Sequence, residues 1–196
     1  RRHYEAEVQI NYNGQILNGV ERLYKSTVLL EPHTACAAHC RWCLRGQYDV
    51  KSLTSQQILT NLEYFGSIDE VKEILITGGE PLLAFSQLEF ILNNIEKLAP
   101  QIEIVRIGSR ILTQAPERLT DRTLAMLSQK YRFRIELGIH ICHPIEFWPE
   151  TIDKIQKLRD AGIVLYNQHP LLAGVNDNES ALIELYEKMR KYDVES

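Results

Sequence analysis

The sequence predicts an α/β fold in which a short N-terminal β-hairpin precedes a partial barrel of parallel strand-helix units. Apolar and polar residues alternate on both sides of Asn13-Gly14, the pair that favours a type I′ hairpin turn. From Ser26 onward, short apolar runs are each followed by a stretch with helical periodicity, which is typical of repeated strand-helix units. We therefore expect a hairpin extension over residues 1–25 and a partial parallel (β/α) barrel over residues 26–196.

Five short apolar runs are the predicted strands of the barrel. In such folds the functional residues gather at the carboxyl ends of the strands, because the strand-to-helix loops converge there. The predicted strands are Thr27 to Leu30, Glu73 to Thr77, Ile102 to Ile107, Phe133 to His140 and Ile163 to Gln168.

The stretches that follow these strands have apolar stripes at helical spacing, which indicate core packing. The first helix is predicted to begin at a capping box, Thr54-Ser55-Gln56-Gln57, and the fourth to end near Gly162. The stripes are Ile58, Leu62 and Phe65; Leu88, Ile91, Leu92, Ile95 and Leu98; Leu124, Leu127 and Tyr131; Ile152, Ile155 and Leu158; and Leu182, Leu185, Tyr186 and Met189.

The composition argues against several classes of function. The 196 residues are 44% hydrophobic, and 22 basic against 26 acidic residues give a formal charge of -4, so no broad positive field is available to attract nucleic acid or anionic lipid. No apolar run approaches the roughly 20 residues of a membrane helix, and Arg1-Arg2-His3 leads into polar sequence. We expect a cytoplasmic protein that acts on a small molecule, without nucleic-acid or membrane partners. Because residue 1 is not Met, we also expect a piece of a longer protein.

Three of the four cysteines lie in one loop directly after the first predicted strand. Cys36, Cys40 and Cys43 are too close together for an ordinary secreted disulfide framework and are typical of metal binding in a reducing compartment. Three thiolates can hold three irons of a 4Fe-4S cluster and leave the fourth iron open. S-adenosylmethionine (SAM) can chelate that iron, and an electron from the cluster then cleaves a carbon-sulfur bond to give a 5′-deoxyadenosyl radical.

A structural zinc site is the alternative interpretation of this loop. Zinc accepts mixed cysteine and histidine ligands, and His39 or Cys142 could be the fourth. Structural zinc sites more often present two separated ligand pairs, which favours the cluster. Since a lone buried cysteine is usually a small apolar filler, we expect Cys142 to stay outside the cluster.

Four further motifs occur where the predicted strands end. They are Ile76-Thr77-Gly78-Gly79-Glu80-Pro81-Leu82-Leu83; Val105-Arg106-Ile107-Gly108-Ser109-Arg110; His140-x-x-His143-Pro144; and Asn167-Gln168 followed by Leu171-Leu172-x-Gly174-Val175-Asn176-Asp177. Together with the cysteine loop, these motifs resemble the radical SAM superfamily and, within it, the lysine 2,3-aminomutase family. The resemblance covers about Thr27 to Asp177 and implies a partial barrel of the radical SAM type with the cluster at its mouth.

The resemblance implies a SAM site built from all of these loops. Glycines at a strand end let the backbone approach a ligand closely, although a tight turn would need them too. Arg110 is implied to make a paired contact with the SAM carboxylate, and Gln168 to lie near the ribose; a surface salt bridge is the other interpretation of Arg110. The implied SAM-binding residues are Trp42, Gly78, Gly79, Glu80, Ser109, Arg110, His143 and Gln168.

Two residues are implied to contact the substrate. Arg45 matches the family arginine just after the third cysteine, which would hold a substrate carboxylate, and Asp177 matches an acid that receives a substrate ammonium. Such a pair would suit an amino acid with a distal positive charge. The alternatives are a loop arginine and an aspartate that stabilises a helix N-terminus.

Pyridoxal phosphate (PLP), which the aminomutases use, is the cofactor least supported by the residues present. Arg45 is followed by Gly46-Gln47 instead of a run of arginines. The family's PLP lysine lies beyond a sixth strand, so we expect either a piece of a longer protein or a reduced relative of the family. Any PLP lysine is predicted to lie after Ser196. The lysines of the last two helices are predicted to face water: Lys154, Lys157, Lys188 and Lys191.

Three functional interpretations follow. The first is a radical SAM aminomutase, an isomerase that shifts an amino group between adjacent carbons of an amino acid and takes its electron from an external donor. The second is a radical SAM enzyme of the same family that acts without PLP on another substrate. The third is a noncatalytic binding module stabilised by a metal.

Overall fold

A computed structural model describes residues 9–43 and 50–196. Within these ranges, no helix is both long and apolar enough to cross a membrane. The strands are β1 (Asn11–Tyr12), β2 (Gln15–Ile16), β3 (Val20–Arg22), β4 (Thr27–Leu30), β5 (Glu73–Ile76), β6 (Ile104–Ser109), β7 (Arg134–Ile139) and β8 (Val164–Asn167). The α-helices are α1 (Ser55–Gly66), α2 (Phe85–Leu98), α3 (Ile111–Gln114), α4 (Asp121–Leu127), α5 (Pro149–Asp160) and α6 (Glu179–Lys191).

The N-terminal hairpin forms as predicted. β1 and β2 pair antiparallel, with Tyr12 opposite Gln15. Asn13 and Gly14 have φ angles of 51° and 78°. Two successive residues in the left-handed region define the type I′ turn that the Asn-Gly pair favours.

Strands β3 to β8 form one six-stranded sheet in sequence order. β4, β5, β6, β7 and β8 run parallel to one another. β3 pairs antiparallel with β4 and forms one edge of the sheet. Since right-handed crossovers lead from each strand to the next in one direction, the connecting helices lie on one face. At the other edge, Glu195 pairs in parallel with Tyr166 of β8. The α/β fold class is confirmed, and the described strands form an open sheet, not a closed barrel.

The core lies between the helices and the sheet, as the stripes predict. Alternate residues of the strands, such as Ile74 and Ile76 of β5, are fully buried there. The predicted capping box at the start of α1 is present: Thr54 Oγ1 accepts from the Gln57 backbone N at 3.2 Å, and Gln57 Oε1 accepts from the Thr54 backbone N at 2.9 Å. Gly162 follows α5 with a φ of 81°, the conformation of a helix C-terminus.

Two helices depart from the sequence pattern. α4 ends at Leu127, so Tyr131 lies outside it and stacks on the ring of Phe133 at 4.8 Å between centroids. In α6, Leu185 and Met189 are buried, but Tyr186 is 46% exposed. Spacing alone included both tyrosines in their stripes, because an aromatic residue at the margin of a stripe fits the helical period whether or not it reaches the core.

The open face of the sheet, opposite the helices, has a layer of paired charges near the amino ends of the strands. Glu136 is completely buried and accepts hydrogen bonds from Arg106 Nε at 3.1 Å and Nη2 at 2.9 Å. Arg106 Nη1 also lies 3.0 Å from Glu73 Oε1, and Thr27 Oγ1 donates to Glu73 Oε2 at 3.0 Å. This layer connects β4, β5, β6 and β7.

Candidate active site

The glycine pair after β5 packs against the cysteine loop. Gly79 N donates to His33 O and Glu80 N donates to Ala35 O, both at 2.8 Å. A Cβ at Gly79 would lie 2.1 Å from Ala35 O, and one at Gly78 would lie 2.5 Å from His33 O, where φ is also 114°. Side chains at these two positions would push the loops apart. The glycine pair therefore permits close contact between the loops after β4 and β5. These are the first two loops of the mouth, the end of the sheet where the loops after β4 to β8 meet.

Glu80 organises the loop after β6. Its side chain is buried, with the residue 4% exposed; Oε1 accepts from Ser109 Oγ at 2.7 Å and Leu82 N at 3.2 Å, and Oε2 accepts from Arg110 N at 2.8 Å. Burial raises the pKa of the Glu80 carboxyl group, and these donors oppose that shift. Both carboxylate oxygens thus bind protein donors. In the structure, the side chains of Glu80 and Ser109 bind each other. The SAM contacts predicted for these two residues stay predictions.

Arg110 lies where three loops meet. Its Nη1 donates to Cys40 Sγ at 3.3 Å, its Nη2 donates to Glu146 Oε1 at 3.0 Å, and its guanidinium lies 4.4 Å from the centroid of the Trp42 ring. Its Nε is buried and has no hydrogen-bond acceptor among the described residues. A buried donor without a partner costs roughly 1–3 kcal/mol. A ligand carboxylate would satisfy it.

The cysteine loop supplies thiols at the mouth. Cys36 and Cys43 are exposed, whereas Cys40 is half-buried and also lies 3.7 Å from Gln114 Nε2. The pKa of Cys36 is raised first by partial burial and then by the negative charges of Glu80, Cys43 and Cys40. In the part of the chain that the structure describes, no three His, Cys, Asp or Glu side chains converge closely enough to hold a metal ion. The loop has the thiolate donors that an iron-sulfur cluster takes, and their convergence on one cluster stays a prediction.

Glu146 organises the loop after β7. Its Oε2 accepts from the backbone N of Cys142 and from the backbone N of His143 at 3.1 Å. His143 Nδ1 accepts from Ile145 N at 3.2 Å, so His143 caps the 3₁₀ turn Pro144–Glu146. Sequence reasoning missed Glu146, although a polar cap residue, a proline and a glutamate three positions after the cap match a capping box.

Gln168 is exposed at the carboxyl end of β8, near two glycines of the neighbouring strands that have no side chains to cover it. Gly108 and Gly138 are paired neighbours on β6 and β7. A Cβ at Gly138 would lie 3.1 Å from Gln168 Oε1, and one at Gly108 would lie 3.4 Å from Thr77 Oγ1. The Gln168 amide is therefore accessible to a ligand, as its predicted role requires.

Two buried asparagines, which the sequence analysis placed in a motif without giving them a role, connect the last loops. Asn167 accepts from Ile141 N at 2.8 Å and donates to Ile141 O at 2.9 Å. Asn176 Nδ2 donates to Cys142 O and to Pro170 O, both at 2.9 Å. Cys142 itself is buried as expected, and its pKa is raised to about 11, first by burial. It has the character of an inert filler.

Of the two predicted substrate residues, only Asp177 lies in the described part of the chain, and it is outside this cluster. Arg45 lies outside the described residues. Asp177 is exposed and precedes Asn178, the N-cap of α6, where it lines a surface pocket with Leu182 and Tyr186. Their substrate contacts stay predictions.

The described residues do not fit a PLP site. On the open face of β4 to β8, no strand position is a lysine. Lys188, which was predicted to face water, is instead half-buried: its Nζ donates to Pro144 O at 3.0 Å and lies 2.8 Å from Glu184 Oε1. Its ammonium group is thus already engaged. Lys72 precedes β5, at the end of the sheet away from the mouth.

The sequence is similar to those of proteins named as aminomutases. L-lysine 2,3-aminomutase of Clostridium subterminale is 36% identical over 181 residues, which are 90% of this chain and 42% of that protein. Glutamate 2,3-aminomutase of Clostridioides difficile is 33% identical over 181 residues, 89% of this chain and 42% of that protein. The chain spans less than half the length of these relatives.

The fold is similar to that of a solved structure, and a family model matches most of the chain. Streptococcus suis SuiB bound to S-adenosylmethionine has a TM-score of 0.64 at 15% identity, over 87% of this chain and 39% of that chain. SuiB bound to the precursor peptide SuiA has a TM-score of 0.65 at 17% identity, over 89% of this chain and 38% of that chain. The model of the radical SAM superfamily matches residues 30–186. The predicted resemblance is thus confirmed, and the chain belongs to the radical SAM superfamily.

Proposed function

We propose that this chain is the core of a radical SAM enzyme in which Cys36, Cys40 and Cys43 hold a 4Fe-4S cluster and Arg110 binds the SAM carboxylate. The observation that carries the proposal is the position of Arg110. One of its nitrogens reaches a sulfur of the cysteine loop, while its buried Nε has no acceptor among the residues that the structure describes. A carboxylate bound to the iron beside that loop would be within reach of the guanidinium.

The surrounding residues have separate tasks in this proposal. Glu80 and Ser109 hold the backbone from which the Arg110 side chain extends. Trp42 covers the guanidinium and limits the access of water, which strengthens its interaction with an anion. Gln168 can both donate to and accept from ribose hydroxyl groups. When bound, the cluster supplies the electron that cleaves SAM to methionine and the 5′-deoxyadenosyl radical.

For the substrate, we propose an amino acid whose amino group moves between adjacent carbons. The similarity to lysine and glutamate 2,3-aminomutases supports this assignment. Arg45 and Asp177 are the proposed contacts for the substrate carboxylate and ammonium. An external electron donor would supply the electron. A cytoplasmic location belongs to the same proposal.

A radical SAM enzyme that acts without PLP is the second candidate. The specific observation that favours it is the sequence after the third cysteine, where Arg45 is followed by Gly46-Gln47 instead of the run of arginines of the aminomutases. Borohydride reduction of the full gene product in the presence of PLP, followed by peptide mapping, separates the two candidates. A pyridoxyl-lysine after residue 196 supports the aminomutase, and a full-length protein that never binds PLP supports the second candidate.

The central test is reductive SAM cleavage by anaerobically reconstituted protein. We expect brown protein that forms 5′-deoxyadenosine when SAM and dithionite are added, measured by liquid chromatography and mass spectrometry. Cys40→Ala should abolish the product, and Cys142→Ala is the matched control that should retain it. Bound zinc without iron, or full activity in Cys40→Ala, would show that the cluster assignment is wrong.

A further inference from the structure

Glu146 is the acidic side chain that holds the guanidinium of Arg110. Its Oε1 lies 3.0 Å from Arg110 Nη2, and its Oε2 accepts from the backbone N of Cys142 and of His143. The two side chains are only 15% and 19% exposed. A carboxylate that has donors on both oxygens and is largely removed from water is fixed in position far better than a surface partner.

The other contacts of the guanidinium leave its orientation less defined. Cys40 Sγ is shared with iron in the proposed enzyme, and the ring of Trp42 contacts the guanidinium face without selecting which edge turns toward the mouth. Within residues 9–43 and 50–196, Glu146 is the ion-pair partner found for Arg110. The ion pair with Glu146 therefore determines which edge of the Arg110 guanidinium turns toward the mouth.

The remaining donors of Arg110 are not used by the described residues. A guanidinium has five N–H donors. One hydrogen bond to Cys40 and one to Glu146 leave the other donors, Nε among them, without an acceptor in the described chain. A paired contact with a carboxylate needs two adjacent donors in a fixed plane. A rotation of that plane would remove one of the two.

We propose that Glu146 is a positioning residue for SAM binding, which acts through Arg110 by fixing the plane of its guanidinium between Cys40 and Trp42. This inference rests on the proposed function, since it takes the SAM carboxylate as the ligand of Arg110. Glu146 does not touch SAM. Its contacts with the backbone of Cys142 and His143 make the geometry of the loop after β7 part of the SAM site.

The test is a double-mutant cycle on SAM affinity with anaerobically reconstituted protein, measured by calorimetry. Glu146→Asp keeps the charge and shortens the reach, so it changes position without removing the negative potential. We expect SAM affinity to fall about tenfold, the effect of losing one charge-assisted hydrogen bond. Arg110→Lys should also weaken binding, and the double variant should bind no more weakly than Arg110→Lys alone, because a lysine has no plane to fix.

The matched control is Asp153→Glu, which alters the exposed ion pair with Lys157 on α5 and should leave SAM affinity unchanged. Additive effects of Glu146→Asp and Arg110→Lys would overturn the inference, as would wild-type affinity in Glu146→Asp. If Glu146→Asp does not fold, as judged by its melting temperature, Glu146→Gln replaces it in the same cycle, and additivity is again the overturning result. A wild-type protein that assembles no cluster or binds no SAM overturns the proposed function itself, and this inference with it.

Discussion

Replacing Glu80 by Gln should destabilise the protein even though the substitution preserves shape. The carboxylate accepts from Ser109 Oγ and Leu82 N on one oxygen and from Arg110 N on the other, at distances of 2.7, 3.2 and 2.8 Å. An amide keeps only one of the two oxygens. In either orientation its NH₂ group faces a backbone N–H, of Arg110 or of Leu82, and leaves that donor unpaired. An unpaired buried donor costs roughly 1–3 kcal/mol.

We take about 2 kcal/mol as the expected loss for Glu80→Gln. For a chain of this size, that loss lowers the melting temperature by roughly 4–8 °C. Urea unfolding followed by circular dichroism gives the free energy of unfolding, and Glu103→Gln, at an exposed position, is the control that should stay within about 0.5 kcal/mol of wild type. If the two variants were equally stable, the carboxylate would not organise the loop after β6 in the way that the hydrogen bonds indicate.

Three further predictions concern the sheet and the mouth. Glu136→Gln should destabilise the protein by about 3 kcal/mol, because it breaks a buried ion pair, whereas Asp153→Asn in an exposed helical pair should cost about 0.5 kcal/mol or less. Urea unfolding compares the two variants, and equal losses of stability would contradict the buried layer. Gly138→Ala should weaken SAM binding with little change in melting temperature, since its Cβ would press on Gln168 Oε1 at 3.1 Å; unchanged affinity in calorimetry would remove Gln168 from the site. Burial lowers the pKa of His169, so as the pH falls below about 6.5 the unfolded chain binds a proton at this residue before the folded chain does, and the free energy of unfolding should decrease. His169→Asn should lose less stability than wild type between pH 7 and pH 5, and an identical loss would exclude His169 as the source of the pH dependence.

Local features of the fold could be predicted from the sequence because short-range chemistry determines them. Asn13-Gly14 specifies its turn through the left-handed conformation that both residues adopt. Thr54 and Gln57 satisfy each other's backbone donors within one helical turn. The predicted strand ends were correct to within a few residues, since an apolar run ends where the chain leaves the core.

Features that depend on distant partners were not predictable in the same way. Strand β3 has three residues and no clear alternation, and it forms because the edge of β4 offers unpaired backbone groups. The role of Glu146 required knowing that Arg110, which is 36 positions away in sequence, lies beside it. Asn176 looked like part of a loop motif, but its burial depends on the carbonyl groups of two different segments.

These long-range contacts have a common arrangement that explains how five separate loops can form one site. Backbone hydrogen bonds from Gly79 and Glu80 bind the loop after β5 to the cysteine loop. Each later loop is bound to the next by a largely buried polar side chain: Glu80 joins the loops after β5 and β6, and Glu146 reaches Arg110 from the loop after β7. Asn167 and Asn176 then connect the loops after β7 and β8. A buried polar group with a partner on each loop resists displacement, because moving either loop leaves a donor or acceptor unpaired away from water. Arg110 is therefore held by the whole rim, and a change in any of these side chains should reach the candidate SAM site even where it touches no ligand.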